Sequence, residues 1–318
     1  MRSDTDSALN LISRSSKIAV IAHERPDGDA VGSLLACALA LANSGKDVTP
    51  ILADGLPARF RFLPGSAGIE KKVPPDAELV IAVDCSDKER MGIASEHSID
   101  INIDHHPTNA HFAKLNFVRP DAAATAEILY ELLPAFGLQI TSEIATNLLT
   151  GIVTDTIGFR THSVSPQLLE IAVDLMNLGA PLAEIYEIVL GRRSFTSVRY
   201  WGCGLDRIER RDGLVWTTLT LADREKVGYP GDDDADLVNL LTEIEDTQVS
   251  IIFVEQPGGK VKVSWRSDPG INVAEIASEF GGGGHEQASG AMIEGELEEV
   301  RALVINATKA QMNQAQEI

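Results

Sequence analysis

The stretch Ile101-Asn102-Ile103-Asp104-His105-His106-Pro107 constrains this chain more than any other. A short β-branched run stops in an acid and two adjacent imidazoles, and a proline ends regular structure at once. Such a run reads as a buried strand. Its polar end then lies at the carboxyl edge of a sheet, where open α/β sheets gather their ligands. Three more stretches repeat the design. Residues 17–22 lead into His23-Glu24-Arg25-Pro26-Asp27-Gly28-Asp29, residues 79–83 end in Asp84, and residues 147–153 lead into Asp155. Four hydrophobic elements each deliver Asp or His at one end, and together they describe one site.

The elements between these ends alternate. Strands are expected at residues 17–22, 47–52, 79–83 and 99–103, and helices at 7–15, 29–44 (stopped by Gly45), 125–136, 165–178 and 181–190. Strand and helix patterns in alternation point to a parallel sheet covered by helices. Residues 143–153 fit a helix throughout, which puts Asp155 just past a helix end rather than a strand end. The pattern changes near Gly191. Residues 192–204 carry charges and aromatics and read as a bridge to a second unit. Beyond it, residues 205–209 and 214–221 form a hairpin signature through Arg211-Asp212-Gly213. Asp232-Asp233-Asp234 precedes a helix expected to run for about a dozen residues. Residues 249–254 and 260–265 pair across Pro257-Gly258-Gly259, a helix at 272–280 runs into Gly281-Gly282-Gly283-Gly284-His285, and a helix at 298–312 closes the fold. The expected organisation is an α/β catalytic domain over residues 1–190, a linker over 191–204 and a smaller α/β domain over 205–318.

A chain of 318 residues has room for two such domains. No apolar run is long enough to span a bilayer, and Met1-Arg2-Ser3-Asp4-Thr5-Asp6 lacks the basic-then-apolar pattern of a signal peptide, so a cytoplasmic protein with no membrane partner is expected. Cys37, Cys85 and Cys203 are odd in number and widely spaced, which favours reduced thiols over a disulfide or a thiolate metal site. The formal net charge of −20 argues against binding long DNA or RNA, which depends on neutralising many phosphates. A short anionic substrate remains compatible if divalent metals and a few local cations offset the field.

His23, Asp27, Asp29, Asp84, His105 and Asp155 supply four carboxylates and two imidazoles. Mixed oxygen and nitrogen donors suit Mn²⁺; Mg²⁺ prefers oxygen, and zinc more often takes a closed tetrahedral set. Six side chains exceed what one ion needs and suit two, with a bridging carboxylate. Two metals roughly 3.5–4 Å apart would activate a water and neutralise charge on a transferring phosphoryl group. Gly28, between Asp27 and Asp29, is expected to allow a tight turn that points both carboxylates inward. Taken singly, each motif has a plainer explanation. Asp27-Gly28-Asp29 fits a polar turn, Asp84 and Asp155 fit helix caps, and the two histidines fit satisfied loop residues. Those explanations do not account for the recurrence at four separated segment ends.

In the second half, Gly281–Gly284 fits either a helix stop and turn or a backbone that a phosphate approaches closely. Arg266 and Ser267 precede it in Val263-Ser264-Trp265-Arg266-Ser267, and a guanidinium there can pair with a phosphate or stack on a base. Arg90 and Arg160 are weaker substrate contacts with surface ion pairing as the alternative. Lys71-Lys72 and Asp232-Asp233-Asp234 read as solvated surface, Trp201, Trp216 and Trp265 as core, and Asn109 as the residue that ties down the loop after the histidines.

His23-x-x-x-Asp27-x-Asp29, Asp84, Asp104-His105-His106 and Thr154-Asp155-Thr156 resemble the four motifs of the DHH phosphoesterases, and Gly281 to His285 resembles their DHH-associated C-terminal domain. The likeness runs from Lys17 to about Thr308 and is strongest to the group of bifunctional oligoribonucleases and phosphoadenosine-phosphate phosphatases. It implies an active site in the cleft between the two domains. Residue by residue, it implies that His23, Asp27 and Asp84 hold one Mn²⁺ and that Asp29, Asp84, His105 and Asp155 hold a second, with Mg²⁺ as the alternative metal. His106 would face the substrate phosphate, Asp104 would orient the histidines, and Asp84 would bridge. His285, Gly282, Gly283, Gly284, Arg266 and Ser267 would bind the substrate. The reaction implied is attack of a metal-bridging hydroxide on phosphorus, degrading short RNA to mononucleotides or converting phosphoadenosine phosphate to AMP. A homodimer is implied as well. One departure stands out: many members carry Gly directly after Thr-Asp-Thr, where this chain has Ile157 and then Gly158. Competing readings are a soluble cyclic di-AMP phosphodiesterase, a manganese pyrophosphatase and, from another class, a nucleotide-binding regulator with a vestigial site.

Overall fold

Apolar runs of four or five residues can be buried on both faces only inside a layered sheet, and the first half of the chain supplies them. The computed structural model describes residues 2–92 and 98–315 and divides into two compact units, Met1–Arg192 and Arg193–Ile318. Unit 1 runs α1 (Arg2–Arg14), β1 (Lys17–Ile21), α2 (Gly28–Asn43), β2 (Asp47–Ile51), β3 (Leu79–Val83), β4 (Ile101–Asp104), β5 (Leu115–Val118), α3 (Thr125–Ala135), α4 (Ser142–Asp155), α5 (Pro166–Asn177) and α6 (Leu182–Tyr186), ending in a π-helical turn at Glu187–Gly191. The strands lie in the order β2-β1-β3-β4-β5, every neighbouring pair parallel. The sheet therefore grows outward in both directions from the β1/β3 pair, the switch point at which such sheets bind ligands.

Most of the expected elements form within a residue or two of their sequence bounds. The exceptions have physical reasons. β5 was not anticipated: its residues are only half-buried, so it lacks the apolar run that marks the other strands. α1 starts at Arg2, five residues before the expected helix. The main core fills one face of the sheet, where Ile18, Val20, Ile81 and Ile103 pack with Leu34, Leu41, Leu148 and Leu149 of α2 and α4. Each such side chain contributes roughly 1.5–3 kcal/mol by leaving water. Two glycines bring these helices together. A Cβ at Gly32 would overlap the Asn147 carbonyl and lie 3.0 Å from the Gly151 nitrogen.

Unit 2 runs α7 (Phe195–Leu205), β6 (Glu209–Arg211), β7 (Leu214–Leu219), α8 (Leu221–Val227), α9 (Leu237–Leu241), β8 (Val249–Gln256), β9 (Lys260–Ser267), α10 (Val273–Glu279), β10 (Gly283–His285), β11 (Ala288–Glu294) and α11 (Leu297–Ala315). Its mixed sheet has the order β10-β11-β9-β8-β7-β6, antiparallel except between β7 and β8. The β6–β7 hairpin turns through Asp212 and Gly213, both at positive φ (54° and 76°), as a two-residue primed turn requires. Trp265 is fully buried and donates its Nε1–H to Thr308 Oγ1 at 3.2 Å, which ties β9 to α11.

Three expectations are corrected in this unit. The stretch read as a bridge is helical from Phe195, and its Tyr200 is buried against Val215 and Leu219. The helix after the three aspartates has five residues, Leu237–Leu241, because Ala235 and Asp236 take left-handed backbone just before it. The aspartates are not all solvated surface. Asp234 is buried and its Oδ2 accepts from Val238 N at 3.1 Å, while Asp233 Oδ1 accepts from Ala235 N at 2.9 Å.

Candidate active site

Asp84 is where the first unit's chemistry converges. It is the first residue past β3, it adopts a left-handed backbone (φ 57°) that Asp tolerates better than most residues, and its N–H still bonds Ile103 O of β4 at 2.9 Å. Its side chain is buried, and three imidazoles surround it. His23 Nε2 lies 3.4 Å from Oδ2; His105 Nε2 and His106 Nδ1 each lie 3.7 Å from Oδ1. His23 follows β1 and His105 follows β4, so adjacent parallel strands deliver these groups to one edge of the sheet. Asp27 caps α2, accepting from Ala30 N at 3.0 Å, and its half-exposed carboxylate is 3.9 Å from His23 Nε2. Asp29 sits in the first turn of α2. Asp155 is the last residue of α4, with Oδ2 3.3 Å from His105 Nε2.

All six predicted ligands therefore come together. Two groups, His23 with Asp27 and Asp84, and Asp29 with His105 and Asp155, each offer ligand atoms within 4.8 Å of one another and could hold a metal ion; so could Asp84 with His105 and His106. The imidazoles are wired for that use. His23 Nδ1 is 2.7 Å from Glu24 O and His105 Nδ1 is 3.2 Å from Ala122 O. A ring whose Nδ1–H is held by a carbonyl presents the Nε2 lone pair, as a metal ligand must. His106 differs: its Nδ1 bonds Asp104 Oδ1 at 2.8 Å. Asn109 Nδ2 steadies that carboxylate, donating to Asp104 Oδ2 at 2.6 Å and to Cys85 O at 3.0 Å.

The electrostatics show why the cluster suits cations. Burial disfavours the charged form of Asp29, and with the neighbouring Asp84 it pushes this carboxyl up to about 7. Asp155 is likewise driven well above the usual carboxylate range by burial and by Asp29, Asp27 and Asp84. Burial opposes a proton on His23, but the hydrogen bond to Asp84 and the charges of Asp84 and Asp27 outweigh it and raise this imidazole to about 9. Burial also opposes the Asp84 anion, yet His23, His106 and His105 hold its carboxyl far below the usual value. Unshared negative charge is thus compensated by protons, and a divalent cation would displace them. The donor set of four carboxylates and two Nε2 atoms fits such ions.

Several supporting residues escaped the sequence reading. Asp29 is held by three donors: Thr125 N to Oδ2 at 2.6 Å, Ala126 N to Oδ1 at 3.0 Å and, from its own helix, Ser33 Oγ to Oδ1 at 3.0 Å. Gly151 lies beneath it, and a Cβ there would stand 2.6 Å from Asp29 Oδ1 and 2.8 Å from the Ala126 Cβ. A glycine inside a helical pattern was the one visible signal. Gly28 is needed for a reason other than the expected one. It starts α2 in helical conformation rather than forming a tight turn, and a Cβ there would fall 2.6 Å from Thr154 Cβ. The left-handed Arg25 in the His23–Asp27 loop is pinned through its N–H to Asp54 Oδ2 at 2.7 Å. Past Asp155, Ile157, Gly158 and Phe159 all have positive φ, an unusual state for a β-branched residue. Among the described residues, the Arg90 side chain has a long hydrogen bond from Nη1 to Ser86 Oγ, at 3.5 Å.

In unit 2, the glycine run begins as a turn at Gly281 and continues as an edge strand. Gly283, Gly284 and His285 form β10 and are exposed. Strand pairing places His285, Ala288 and Arg266 in one cross-strand row, and Gly283, Gly290 and Ser264 in the next row on the same face. His285 and Arg266 thus flank a strip of small residues, roughly 9–10 Å apart by strand spacing. Arg266 is half-buried, its Nε donating to Asn239 Oδ1 at 3.2 Å and its Nη1 to Trp265 O at 2.9 Å. The Ser267 hydroxyl is engaged with Ile271 O at 2.7 Å.

Residues 17–152 match the DHH family, N-terminal domain, and residues 220–312 match the DHHA1 domain. A relative from Thermus thermophilus, the bifunctional oligoribonuclease and PAP phosphatase NrnA, is 37% identical over 303 residues, covering 94% of this chain and 91% of its own. The chain belongs to the DHH family. DHH proteins of this kind are metal-dependent phosphoesterases, and the six-residue cluster is where the DHH and neighbouring motifs meet. A protein of the same name from Mycoplasma genitalium is 29% identical over 296 residues, with coverage of 90% and 91%. Among solved structures, an exopolyphosphatase-related protein from Bacteroides fragilis superposes with a TM-score of 0.92 at 26% identity, covering 99% of this DHH chain and 98% of its own. No helix among the described residues is long and apolar enough to cross a membrane.

Proposed function

We propose that this chain hydrolyses phosphoester bonds in short nucleotidic substrates, releasing mononucleotides from oligoribonucleotides of a few residues and AMP from 3′-phosphoadenosine 5′-phosphate. The observation that carries this reading is Asp84, buried within reach of both candidate metal groups in a chain similar along nearly its whole length to an oligoribonuclease and PAP phosphatase. His23, Asp27 and Asp84 would hold one Mn²⁺, and Asp29, Asp84, His105 and Asp155 the other. Such a pair supplies an activated water and neutralises charge on the phosphoryl group.

The chain's own residues do the rest. Asp104 fixes the His106 ring through Nδ1, so Nε2 is the nitrogen that would meet the phosphate and return a proton to the leaving oxygen as the P–O bond breaks. In unit 2, His285 and Arg266 would grip a phosphate at either side of the small-residue strip, with Gly282, Gly283, Gly284 and Ser267 shaping its edge. The strip leaves room for a flat base. A net charge of −20 disfavours long polyanions, which suits substrates of few phosphates. Reduced Cys37, Cys85 and Cys203 fit a reducing compartment, the cytoplasm.

The test is product release, with Mn²⁺ supplied, from a short RNA, phosphoadenosine phosphate, cyclic di-AMP and pyrophosphate side by side. Fast mononucleotide and AMP release is expected from the first two. Turnover of cyclic di-AMP alone would move the same site into signalling, and pyrophosphate alone would overturn the role given to unit 2. Stoichiometric Mn²⁺ uptake with no turnover of any of the four would make the chain a nucleotide-binding regulator.

A further inference from the structure

Residues 122–126 touch three of the six candidate ligands without being ligands themselves. Ala122 O holds His105 Nδ1, the amides of Thr125 and Ala126 hold both oxygens of Asp29, and the Thr125 hydroxyl donates to Asp84 Oδ1 at 3.0 Å. α3 begins at Thr125, and its cap residue Ala124 has no side-chain acceptor to offer. Asp29, from α2, takes that place, satisfying the amides that a helix start leaves open. Thr125 is fully buried, and its hydroxyl reaches the Asp84 carboxylate, which groups with His23 and Asp27 and lies 3.7 Å from His105 of the other candidate group.

We infer that Thr125 is a positioning residue of the metal centre: its hydroxyl sets the rotation of the Asp84 carboxylate, and through the α3 start it locks Asp29 and His105 in register with it. This rests on the two-metal reading of the site. The physical case is a matter of lone pairs. A carboxylate that would serve two ions needs a fixed rotation, and the donor on Oδ1 restrains that rotation while leaving the other lone pairs available. Both Asp29 oxygens are fixed in the same way by backbone amides, which no side-chain substitution removes. Thr125 is therefore the one place in the segment where the constraint is carried by a replaceable group. Hydrogen-bond partners behind metal ligands are typically worth about 10–100-fold in metal affinity.

The experiment is a Mn²⁺ titration of the metal-stripped full chain, by calorimetry and by the electron paramagnetic resonance signal of an exchange-coupled pair. The proteins are the wild type, Thr125→Val and Thr125→Ser. The expected result is two ions and a coupled signal in the wild type, and at least tenfold weaker binding of one ion with loss of coupling in Thr125→Val. Thr125→Ser, which restores the hydroxyl without the methyl, should return affinity to within about threefold and recover the signal. Identical affinities and spectra in wild type and Thr125→Val would overturn the inference while leaving the two-metal reading intact. A wild type that takes up no pair of ions would overturn that reading instead. If the valine variant does not fold, Thr125→Ala against Thr125→Ser makes the same comparison without adding bulk. A Thr125→Ser protein as weak as Thr125→Ala would assign the effect to packing and defeat the proposal.

Discussion

The cluster around Asp84 and the glycine–histidine strand of unit 2 are built on opposite principles. In the cluster, nearly every group has its orientation assigned by a neighbour: Glu24 O holds His23, Ala122 O holds His105, Asp104 holds His106, and three donors hold Asp29. On β10, the three residues Gly283, Gly284 and His285 are exposed, and a Cβ added at Gly283 meets nothing within 4 Å. The contrast matches the two tasks. Groups that act on a reacting phosphorus need their geometry set in advance, whereas a grip for substrates of different length and base works from an open edge.

The largest test of this contrast is Asp84→Ala. Removing this carboxylate should lower turnover by at least about 10³-fold while circular dichroism shows a folded protein, because the lost pairing with the histidines is partly offset by relief of its repulsion on Asp29 and Asp155. Substantial residual activity would mean the cluster is not the reaction centre. Next is Gly151→Ala, at a residue packed behind Asp29. Its Cβ would press on Asp29 Oδ1 and Ala126, so Mn²⁺ affinity should fall about 10–100-fold with a stability cost of about 1–3 kcal/mol. Unchanged metal binding would show that the cluster tolerates looseness after all.

The third test separates space from function on β10. A Cβ at Gly282 would overlap Gly290 O and stand 2.6 Å from the Ala291 Cβ, while Gly283 is open. Gly282→Ala should lower Tm, and Gly283→Ala should leave Tm alone. If a phosphate approaches that backbone, Gly283→Ala and His285→Ala should each raise KM for short RNA about tenfold with kcat nearly unchanged. A normal KM in both would remove the strand from the binding surface.

The smallest effect is a pH dependence of the metal-stripped protein. Asp29 and His23 both hold a proton more tightly folded than unfolded, so their contributions are greatest at low pH. They are lost as pH rises, from 3.8 to about 7 for Asp29 and from 6.5 to about 9 for His23. Scanning calorimetry in chelator should therefore show Tm falling by several degrees between about pH 5 and pH 9. Saturating Mn²⁺ should reverse much of that fall, since the ion replaces the protons. A stripped protein whose Tm climbs over that range would contradict the proton-compensated picture.

Much of this protein was legible in its residues. Strand ends that stop in Asp or His announce themselves because an apolar run and a charged residue cannot both be buried without a partner, so His23, Asp84, Asp104, His105 and His106 could be assigned to one edge. β5 was not legible, because half-buried strands carry no apolar signature, and neither was β10, because a glycine run has no side-chain periodicity at all. The sequence by itself determined which groups could hold ions and which elements would carry them, since both follow from local patterns of polarity. Only the tertiary structure decided how those groups are aimed. Thr125 and the backbone carbonyls of Glu24 and Ala122 act across contacts between segments far apart in the chain or through main-chain atoms that every residue shares, so nothing in their local sequence distinguishes them, and Gly151 shows only as a glycine inside a helical pattern.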